Sequence, residues 1–439
     1  MRTTKELRGM TKKEIKEEIE NGEFQFNDEM EDIHMAIEGR LLELAPQAAA
    51  KLLTARSRDD QVALDMRLYL KDVIITTVDL IGELQLALVE QAEANKKIIM
   101  PGFTHLQAAQ PILLAHHLLA YFEMLKRDAA RFCDCFIRTD VLPLGSGALA
   151  GTTYATDRRW LDKELYVKEG SKNSRDAVSD RDCGLDYLSA SSLMMMHLSR
   201  LAEELVLWAS PCFDFIEIDD AYATASSIMP QKKNPYPLAY IRGVTASLLG
   251  HLASFASYGR IITGNPDSRI FVYGELPRSL DQGTGALKLM EAIFKGLKFN
   301  ADIMLERVHN DYSYSSDLAE YMVQNHELDY RTAHQIVGLV VRKMIERKIP
   351  GDKLSAELLN QAGSEVANIK PGFTQDQLEQ LIDPKNIIHN RKTIGGASTA
   401  RVNEMFHECE NIIDELSTWH ELAWNAVQFS TLEKALRTL

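Results

Sequence analysis

Hydrophobic residues recur at spacings of three and four over long stretches of this chain. Residues 62–91 contain no proline and carry apolar side chains on more than one helical face, which is typical of a helix buried among other helices. A second run from Leu185 to Trp208 has the same spacing, and further helical runs cover residues 110–131 and begin after Pro237. Few segments alternate with a period of two. The pattern predicts an all-α fold, a long antiparallel helix bundle with only minor strands.

The helical pattern is interrupted at two places that serve as domain boundaries. At about 150 residues per domain, a chain of 439 residues is consistent with two or three domains. The interruptions predict an N-terminal helical segment over residues 1–55, a central long-helix bundle domain over 56–312 and a C-terminal helical domain over 313–439.

Charge and composition exclude several classes of protein. The 63 acidic residues outnumber the 49 basic ones, so we expect no nucleic-acid partner, since a protein that binds phosphate backbones is usually basic. Charged residues interrupt every apolar run before the ~20 residues that a membrane span needs, and no membrane association is expected. The five cysteines lack metal-ligand spacing, and the charged N-terminus lacks the apolar core of a secretory signal. We therefore expect no metal site and a cytoplasmic location.

Two polar segments between the predicted helices are candidates for chemistry. Residues 54–61 contain two arginines that could hold a carboxylate at a helix N-terminus, although a helix cap with solvated charge explains the same residues. Residues 100–107 place Thr104, His105 and Gln107 at the predicted entrance of a helix, where an imidazole could transfer a proton. A structural histidine is the alternative there.

A third polar segment, residues 225–235, contains tandem serines, tandem lysines and an asparagine. Serine, ammonium and amide groups together could remove a proton from carbon and stabilise the enolate-like carboxylate that results. Taken alone, the same composition is also compatible with a solvated surface loop.

Together these segments resemble the argininosuccinate lyase branch of the aspartase/fumarase superfamily. Residues 226–235 are similar to its mobile loop GSSxMPxKxN, with Ala225 in place of the leading glycine. Arg56–Gln61 resembles the block RSRNDQ, and Pro101–Gln107 resembles PGYTHLQ. Four more blocks are similar: Asp32–His34, Leu142–Gly151, residues 173–182 and Asp317–Ala319. The resemblance covers nearly the whole chain, and the order of the blocks makes it specific.

The resemblance implies a homotetramer in which each active site is assembled from three subunits. The implied activity is that of a carbon–nitrogen lyase: β-elimination from an N-substituted aspartate through an aci-carboxylate, with release of fumarate and an amine. The implied ligand is a small dicarboxylate substrate, and neither a metal nor an organic cofactor is expected.

The resemblance also assigns roles to individual residues. The implied catalytic group consists of Ser226 as general base, Lys232 and Asn234 as stabilisers of the developing carboxylate charge, and His105 as an aid to protonation of the leaving nitrogen. The implied substrate-binding residues are Ser57, Arg58, Asp59, Thr104, Gln107, Ser227 and Met229.

Several positions depart from the family pattern. Ala239 stands where the family has a glutamate paired with the histidine, and Asp59 stands where the branch has asparagine. Gly264–Glu275 keeps only Asn265 and Asp267 of the element YNKDLQEDK, and the N-terminal segment is expected to be shorter than in the family. These changes chiefly affect groups that hold the amine half of the substrate. The amine is therefore predicted not to be restricted to arginine.

Three acids, Asp219, Asp220 and Glu275, are candidates to replace the missing glutamate. Two alternative functions remain: another reaction of the superfamily, such as cyclisation of a tricarboxylate or elimination of ammonia, and a non-catalytic helical tetramer like the lens-crystallin offshoot of this family. Ala239 favours the non-catalytic alternative, whereas the intact residues Ser226 and Lys232 favour catalysis.

Overall fold

The computed structural model describes residues 14–26, 30–165, 167–258 and 269–427. Its elements confirm the predicted all-α fold. Residues 14–20 are helical, and the later helices are α1 (Ile33–Leu44), α2 (Pro46–Ala49), α3 (Arg58–Ala94), α4 (Leu114–Thr139), α5 (Arg158–Glu164), α6 (Ser174–Ser179), α7 (Asp182–Trp208), α8 (Tyr236–Tyr258), α9 (Arg269–Lys295), α10 (Ala301–Asn310), α11 (Ser315–Asn325), α12 (Tyr330–Glu346), α13 (Ala356–Ala367), α14 (Gln375–Ile382), α15 (Pro384–His389) and α16 (Thr399–Val427).

The strands are short and occur as four separate pairs. They are β1 (Ile99–Thr104), β2 (Gln107–Leu113), β3 (Val141–Leu142), β4 (Glu169–Gly170), β5 (Ile216–Glu217), β6 (Thr224–Ala225), β7 (Lys233–Asn234) and β8 (Lys298–Phe299). β1 pairs with β2, β5 with β8 and β6 with β7, all antiparallel, while β3 and β4 are parallel. Short 3₁₀ turns cover Asp220–Tyr222 and Gly351–Lys353.

Helix α3 is the longest element and passes through the centre of the bundle. Ser57 is its N-cap, and Asp60 completes a capping box with it. The following 37 residues contain no proline, so at 1.5 Å per residue the helix spans about 55 Å. Buried residues lie on several of its faces, as the apolar pattern predicts for a helix surrounded by others.

Contacts between the long helices fix their directions. Arg67, near the start of α3, donates to the carbonyl of Thr139 at the end of α4 and pairs with Asp180 just before α7. Near the end of α3, the side-chain amide of Gln91 donates to the carbonyl of Phe294 in the last turn of α9 (3.0 Å). We call the end of the bundle at which α3 begins the cap end, and the end at which α3 finishes the hairpin end.

The core of the bundle is formed by side chains from α3, α4, α7, α8 and α9. Its largest fully buried aromatic residues, including one that lies just after α7, are Phe122, Phe132, Tyr187, Phe215, Phe255 and Phe294. Helix α16 packs back along α3 and adds Val402, Phe406 and Cys409 to the same core. A second cluster, around Leu318, Ile336, Val340, Leu359 and Leu378, is built by α11 to α14. No helix within the described residues has the combination of length and apolarity that crossing a bilayer requires.

The segment that contains Thr104, His105 and Gln107 differs from the prediction. It does not lie at the entrance of a helix but at the tip of the hairpin β1–β2, and α4 begins only at Leu114, not near residue 110. Pro111 explains the difference, because proline restrains the preceding residue to extended backbone and supplies no N–H to a helix.

We predict that Gly184→Ala in α7 destabilises the protein. A Cβ at this position would lie 2.4 Å from Cζ of the buried Phe255 ring, so α7 and α8 would have to separate. Overpacking of this kind costs about 1–3 kcal/mol of unfolding free energy. Urea unfolding followed by circular dichroism measures it.

Gly338→Ala in α12 is the matched control, because nothing lies within 4 Å of its added Cβ. Alanine favours a helix interior over glycine by about 1 kcal/mol, so this variant should be unchanged or slightly more stable. Equal unfolding midpoints for the two variants would show that α7 and α8 are not in close contact at Gly184.

Candidate active site

The segment with tandem serines forms a small closed hairpin between α7 and α8. β6 and β7 pair with Thr224 opposite Asn234 and Ala225 opposite Lys233. Inside this ladder, the N–H of Ser226 donates to the carbonyl of Lys232 (3.2 Å). We call residues 224–234 the serine loop; its backbone is held by its own hydrogen bonds.

The hydroxyl of Ser226 accepts two backbone hydrogen bonds within this loop. The N–H of Met229 lies 3.1 Å from Oγ and that of Ile228 lies 3.3 Å away. Donors that point at an oxygen stabilise its anionic form and lower its proton affinity. A serine can act as a general base only if its alkoxide is stabilised, and these two N–H groups meet part of that requirement.

Of the other candidate side chains of the serine loop, one is hydrogen-bonded within the hairpin and three are exposed. Asn234 donates from Nδ2 to the carbonyl of Thr224 (3.3 Å), so in this chain its amide helps to close the hairpin. The side chains of Ser227, Met229 and Lys232 are exposed, which leaves them accessible to a ligand.

The hairpin β1–β2 presents the second candidate group at its tip. Thr104, His105, Leu106 and Gln107 are all exposed. His105 and Leu106 have φ values of 53° and 58°, in the left-handed region that non-glycine residues seldom adopt. Positive φ at two consecutive residues is what a two-residue hairpin loop requires, so this conformation places both residues at the tip.

The third candidate group lies at the start of α3. Ser57 caps the helix, which confirms the structural alternative for this residue, and its hydroxyl also donates to Asp59 (3.1 Å). Arg58 is paired with Asp32 (2.9 Å) and lies 3.5 Å from Glu38. The Arg58 guanidinium is therefore held in place by carboxylates of the same chain.

A polar network supports this group from α1. Arg56 pairs with Glu38 (2.6 Å), and the amide of Gln61 contacts Nδ1 of His34 (2.8 Å). His34 in turn lies 3.4 Å from Asp65, whose pKa is raised by burial. The resemblance marks Asp32–His34 only as a similar block; the structure shows that this block orients the start of α3.

Asp60 is a structurally important residue of this group that the sequence pattern did not single out. It is fully buried, and its carboxylate accepts hydrogen bonds from the backbone N–H groups of Ser57 (3.0 Å), Gly145 (3.0 Å) and Gly147 (2.9 Å). It thereby ties the block Leu142–Gly151 to the start of α3. Burial raises the pKa of Asp60, while the N–H donors act in the opposite direction. The capping-box spacing from Ser57 was the available signal.

One chain does not bring the three groups together. Ser57, Arg58 and Asp59 lie at the cap end of α3, about 55 Å from its other end. The hairpin tip and the serine loop lie at the hairpin end. At this end Trp208, the last residue of α7, packs against His117 in the first turn of α4, with their ring centroids 5.1 Å apart. Among the described residues, no hydrogen bond or ion pair joins the tip to the serine loop.

The departures from the family pattern are placed as follows. Ala239 is exposed in the first turn of α8. Of the three acids considered as substitutes for the missing glutamate, Asp219 caps a 3₁₀ turn, Asp220 pairs with Lys233, and Glu275 pairs with His251. Which acid serves His105 stays a prediction. Residues 259–268, with Asn265 and Asp267, lie outside the described residues.

Within the described ranges, no cluster of three or more histidine, cysteine or acidic residues is arranged to hold a metal ion.

Comparisons with known proteins agree on one family. Residues 3–250 match the family model described as lyase, and residues 312–389 match argininosuccinate lyase C-terminal. The argininosuccinate lyase of Trichlorobacter lovleyi is 40% identical over 398 residues, which are 90% of this chain and 85% of that protein. The argininosuccinate lyase of Symbiobacterium thermophilum is 43% identical over 394 residues, 89% of this chain and 83% of that protein.

Solved structures support the same grouping. A double variant of EDDS lyase with bound fumarate superposes with a TM-score of 0.85 at 26% identity, covering 92% of this chain and 80% of that one. The 3-carboxy-cis,cis-muconate lactonizing enzyme from Pseudomonas putida has a TM-score of 0.70 at 17% identity, over 88% of this chain and 82% of that one, and shows the fold alone.

We predict that Asp60→Ala strongly destabilises the protein. The change would leave three N–H donors without their buried acceptor, and each unsatisfied buried group costs about 1–3 kcal/mol. We expect the unfolding free energy to fall by about 3 kcal/mol or more, measured by urea unfolding.

Asp329→Ala is the control, since Asp329 caps α12 at an exposed position and its loss should cost only about 1 kcal/mol. If the two variants were equally stable, Asp60 would be an ordinary helix cap and not the anchor of the glycine-containing block.

Proposed function

The chain belongs to the lyase family, in the argininosuccinate lyase branch of the aspartase/fumarase superfamily, and is a carbon–nitrogen lyase; from this membership we propose that it eliminates an amine from an N-substituted aspartate and releases fumarate. The observation that carries the proposal is the Ser226 hydroxyl, which accepts two N–H groups within the serine loop. This arrangement prepares serine to act as a base.

The proposed reaction has two steps. Ser226 removes a proton from the carbon beside a substrate carboxylate, and the electron pair of that bond moves into the carboxylate to form the aci-carboxylate. Lys232 stabilises the added negative charge with its ammonium group. The electron pair then returns to form the carbon–carbon double bond of fumarate while the carbon–nitrogen bond breaks. His105 assists protonation of the leaving nitrogen.

The remaining candidate residues have proposed roles in binding. Thr104 and Gln107, exposed beside His105, are proposed to hold a substrate carboxylate, and Ser227 and Met229 to contact the substrate when the serine loop closes. Closure would exclude water, which strengthens every polar contact within the site. Asn234 is proposed to act beside Lys232, and its bond to Thr224 supports a role in keeping the loop shaped for this.

The start of α3 is proposed to recognise the amine half of the substrate. Ser57 and Arg58 are oriented by hydrogen bonds and ion pairs within the same chain. Asp59 adds an anion where the branch has a neutral amide. An anion disfavours a nearby carboxylate and favours a cationic group. The amine released is therefore proposed not to be restricted to arginine.

A second candidate function is that of a non-catalytic helical tetramer. The observation that favours it is Ala239, which leaves His105 without the carboxylate partner of the family pattern. The intact serine loop opposes it, because a purely structural protein has no need of Ser226, Lys232 and Asn234 together in one loop. Assays of turnover separate the two candidates.

We also propose that the protein is a homotetramer with active sites shared between subunits. The support is the separation of about 55 Å along α3 between the start of that helix and the hairpin end. A small substrate cannot bridge that distance. The three groups can therefore meet around one substrate only if another subunit runs antiparallel to the first. The cytoplasmic location and the three domain ranges predicted from the sequence stay predictions.

The proposed reaction is tested by fumarate absorbance on purified protein, with argininosuccinate as substrate and then in reverse with fumarate and a panel of amines. We expect fumarate to be consumed with at least one amine. Ser226→Ala should lower kcat at least about 10²-fold while leaving the oligomer intact, because the general base is lost. Size-exclusion chromatography is the check on assembly.

The outcomes discriminate between the candidates. Turnover of argininosuccinate at an ordinary rate would show that Asp59 and Ala239 are tolerated and that the amine is arginine. Amine-dependent loss of fumarate, without turnover of argininosuccinate, would establish that the specificity for the amine has changed. Absence of turnover in both directions, or full activity of Ser226→Ala, would contradict the proposed reaction or its base.

Shared active sites predict complementation between inactive variants. Ser226→Ala and Arg58→Ala change groups at opposite ends of α3, so each should be inactive by itself. Co-expressed mixtures should regain up to about a quarter of wild-type activity, because random assembly gives some sites both native groups. Two affinity tags isolate the mixed oligomers.

Ser226→Ala mixed with Lys232→Ala is the matched control. Both changes lie in the same serine loop, and each site receives this loop from one subunit. Every site would therefore lack either Ser226 or Lys232, and no activity should return. Recovery in this control, or none in the first mixture, would contradict the shared site.

A further inference from the structure

The segment that precedes the serine loop is firmly attached to the body of the bundle. β5 pairs with β8, and the side chains of Phe215, Ile216 and Ile218 are at most 8% exposed. The N–H of Asn300 also donates to the carbonyl of Phe215 (2.8 Å). The 3₁₀ turn Asp220–Tyr222 therefore leaves the core from a fixed position.

Besides the chain connection through Ala223, one ion pair among the described residues joins the turn to β7 of the serine loop. Oδ1 of Asp220 lies 2.5 Å from Nζ of Lys233. Lys233 is the β7 residue opposite Ala225, and its neighbour Lys232 accepts the N–H of Ser226 through its carbonyl. A short series of contacts thus connects the buried core to the proposed catalytic base.

The charges around this pair are compatible with its being ionised at neutral pH. The hydrogen bond to Lys233 lowers the pKa of Asp220, with a smaller contribution from Lys298 on β8. The hydrogen bond to Asp220 raises the pKa of Lys233, and Glu217 and Asp219 act in the same direction. One ammonium group of the loop therefore faces three carboxylates of the attached segment.

We propose that Asp220 is a positioning residue for the reaction: its ion pair with Lys233 holds the serine loop in the orientation from which Ser226 reaches the substrate. This inference rests on the proposed function of Ser226. Lys233 is not itself a catalytic residue, since Lys232 occupies the position that matches the family motif. Because the two side chains are 78% and 61% exposed, the effect is modest and sensitive to salt.

The test compares Asp220→Asn and Lys233→Gln with wild type in the fumarate assay. Each variant should lower kcat about two- to fivefold at low ionic strength, with little change in KM for a substrate bound by other groups. The deficit should shrink as salt is added, and the exchanged pair Asp220→Lys with Lys233→Asp should recover part of it. Lys233→Arg, which keeps the charge, should remain close to wild type.

Glu93→Gln is the matched control, since it removes an exposed ion pair with Lys96 (3.5 Å) near the hairpin end, and within the described ranges no hydrogen bond or ion pair joins either residue to the serine loop. It should leave kcat and its salt dependence unchanged. Equal kcat for wild type and both single variants at low salt, or additive losses in the double variant Asp220→Asn with Lys233→Gln, would overturn the proposal.

Amide hydrogen exchange gives a readout that does not depend on turnover. Peptides covering residues 224–235 should exchange faster in Asp220→Asn than in wild type, while peptides from α3 remain unchanged. If the wild-type protein showed no turnover, the proposed function would fail but the exchange result would still decide whether Asp220 holds the loop. Unchanged exchange in the loop would overturn the inference.

Discussion

The length and stiffness of helix α3 constrain everything else in this protein. Its 37 residues hold the Ser57 cap at one end of the bundle and the β1–β2 hairpin at the other. The helix cannot bend enough to bring the two ends together, because it contains no proline and is packed against other helices along most of its length. The proposed reaction uses groups from both ends, which is why we propose that a second copy of the chain completes each site.

Asp60 connects this scaffold to the loops that border the start of α3. A buried carboxylate is unfavourable by itself, but three backbone N–H groups replace the water that it loses. Gly147 makes the arrangement possible, because its φ is +58° and a Cβ on this residue would stand 2.7 Å from the carbonyl oxygen of Gly151, which leaves no room for a side chain. One carboxylate thus positions both a helix start and a tight turn.

The sequence predicted the features that depend on local pattern. Spacing of apolar residues identified α3 and α7 because a helix buried among helices needs apolar side chains at every turn. The N-cap alternative for Ser57 was correct for a local reason as well. The helix entrance predicted at residues 100–107 was wrong, because Pro111 favours extended backbone there, and the Asp220–Lys233 pair was not predicted. The two residues are 13 positions apart and come together because the β6–β7 hairpin returns the chain to the turn that contains Asp220. No rule of sequence spacing predicts such a contact.

The serine loop shows why a single chain has the parts of a site without the site itself. Two N–H groups already point at Ser226 Oγ, so the group proposed to bear charge is organised within the chain itself. Yet Ile228 at the loop tip is 86% exposed, and the water that surrounds it would weaken those same hydrogen bonds. Covering the loop would lower the local dielectric and strengthen these two hydrogen bonds, while the loss of water by itself raises the proton affinity of an alkoxide. For Ser226 to act as the proposed base, the donors around its oxygen therefore have to outweigh that loss of hydration.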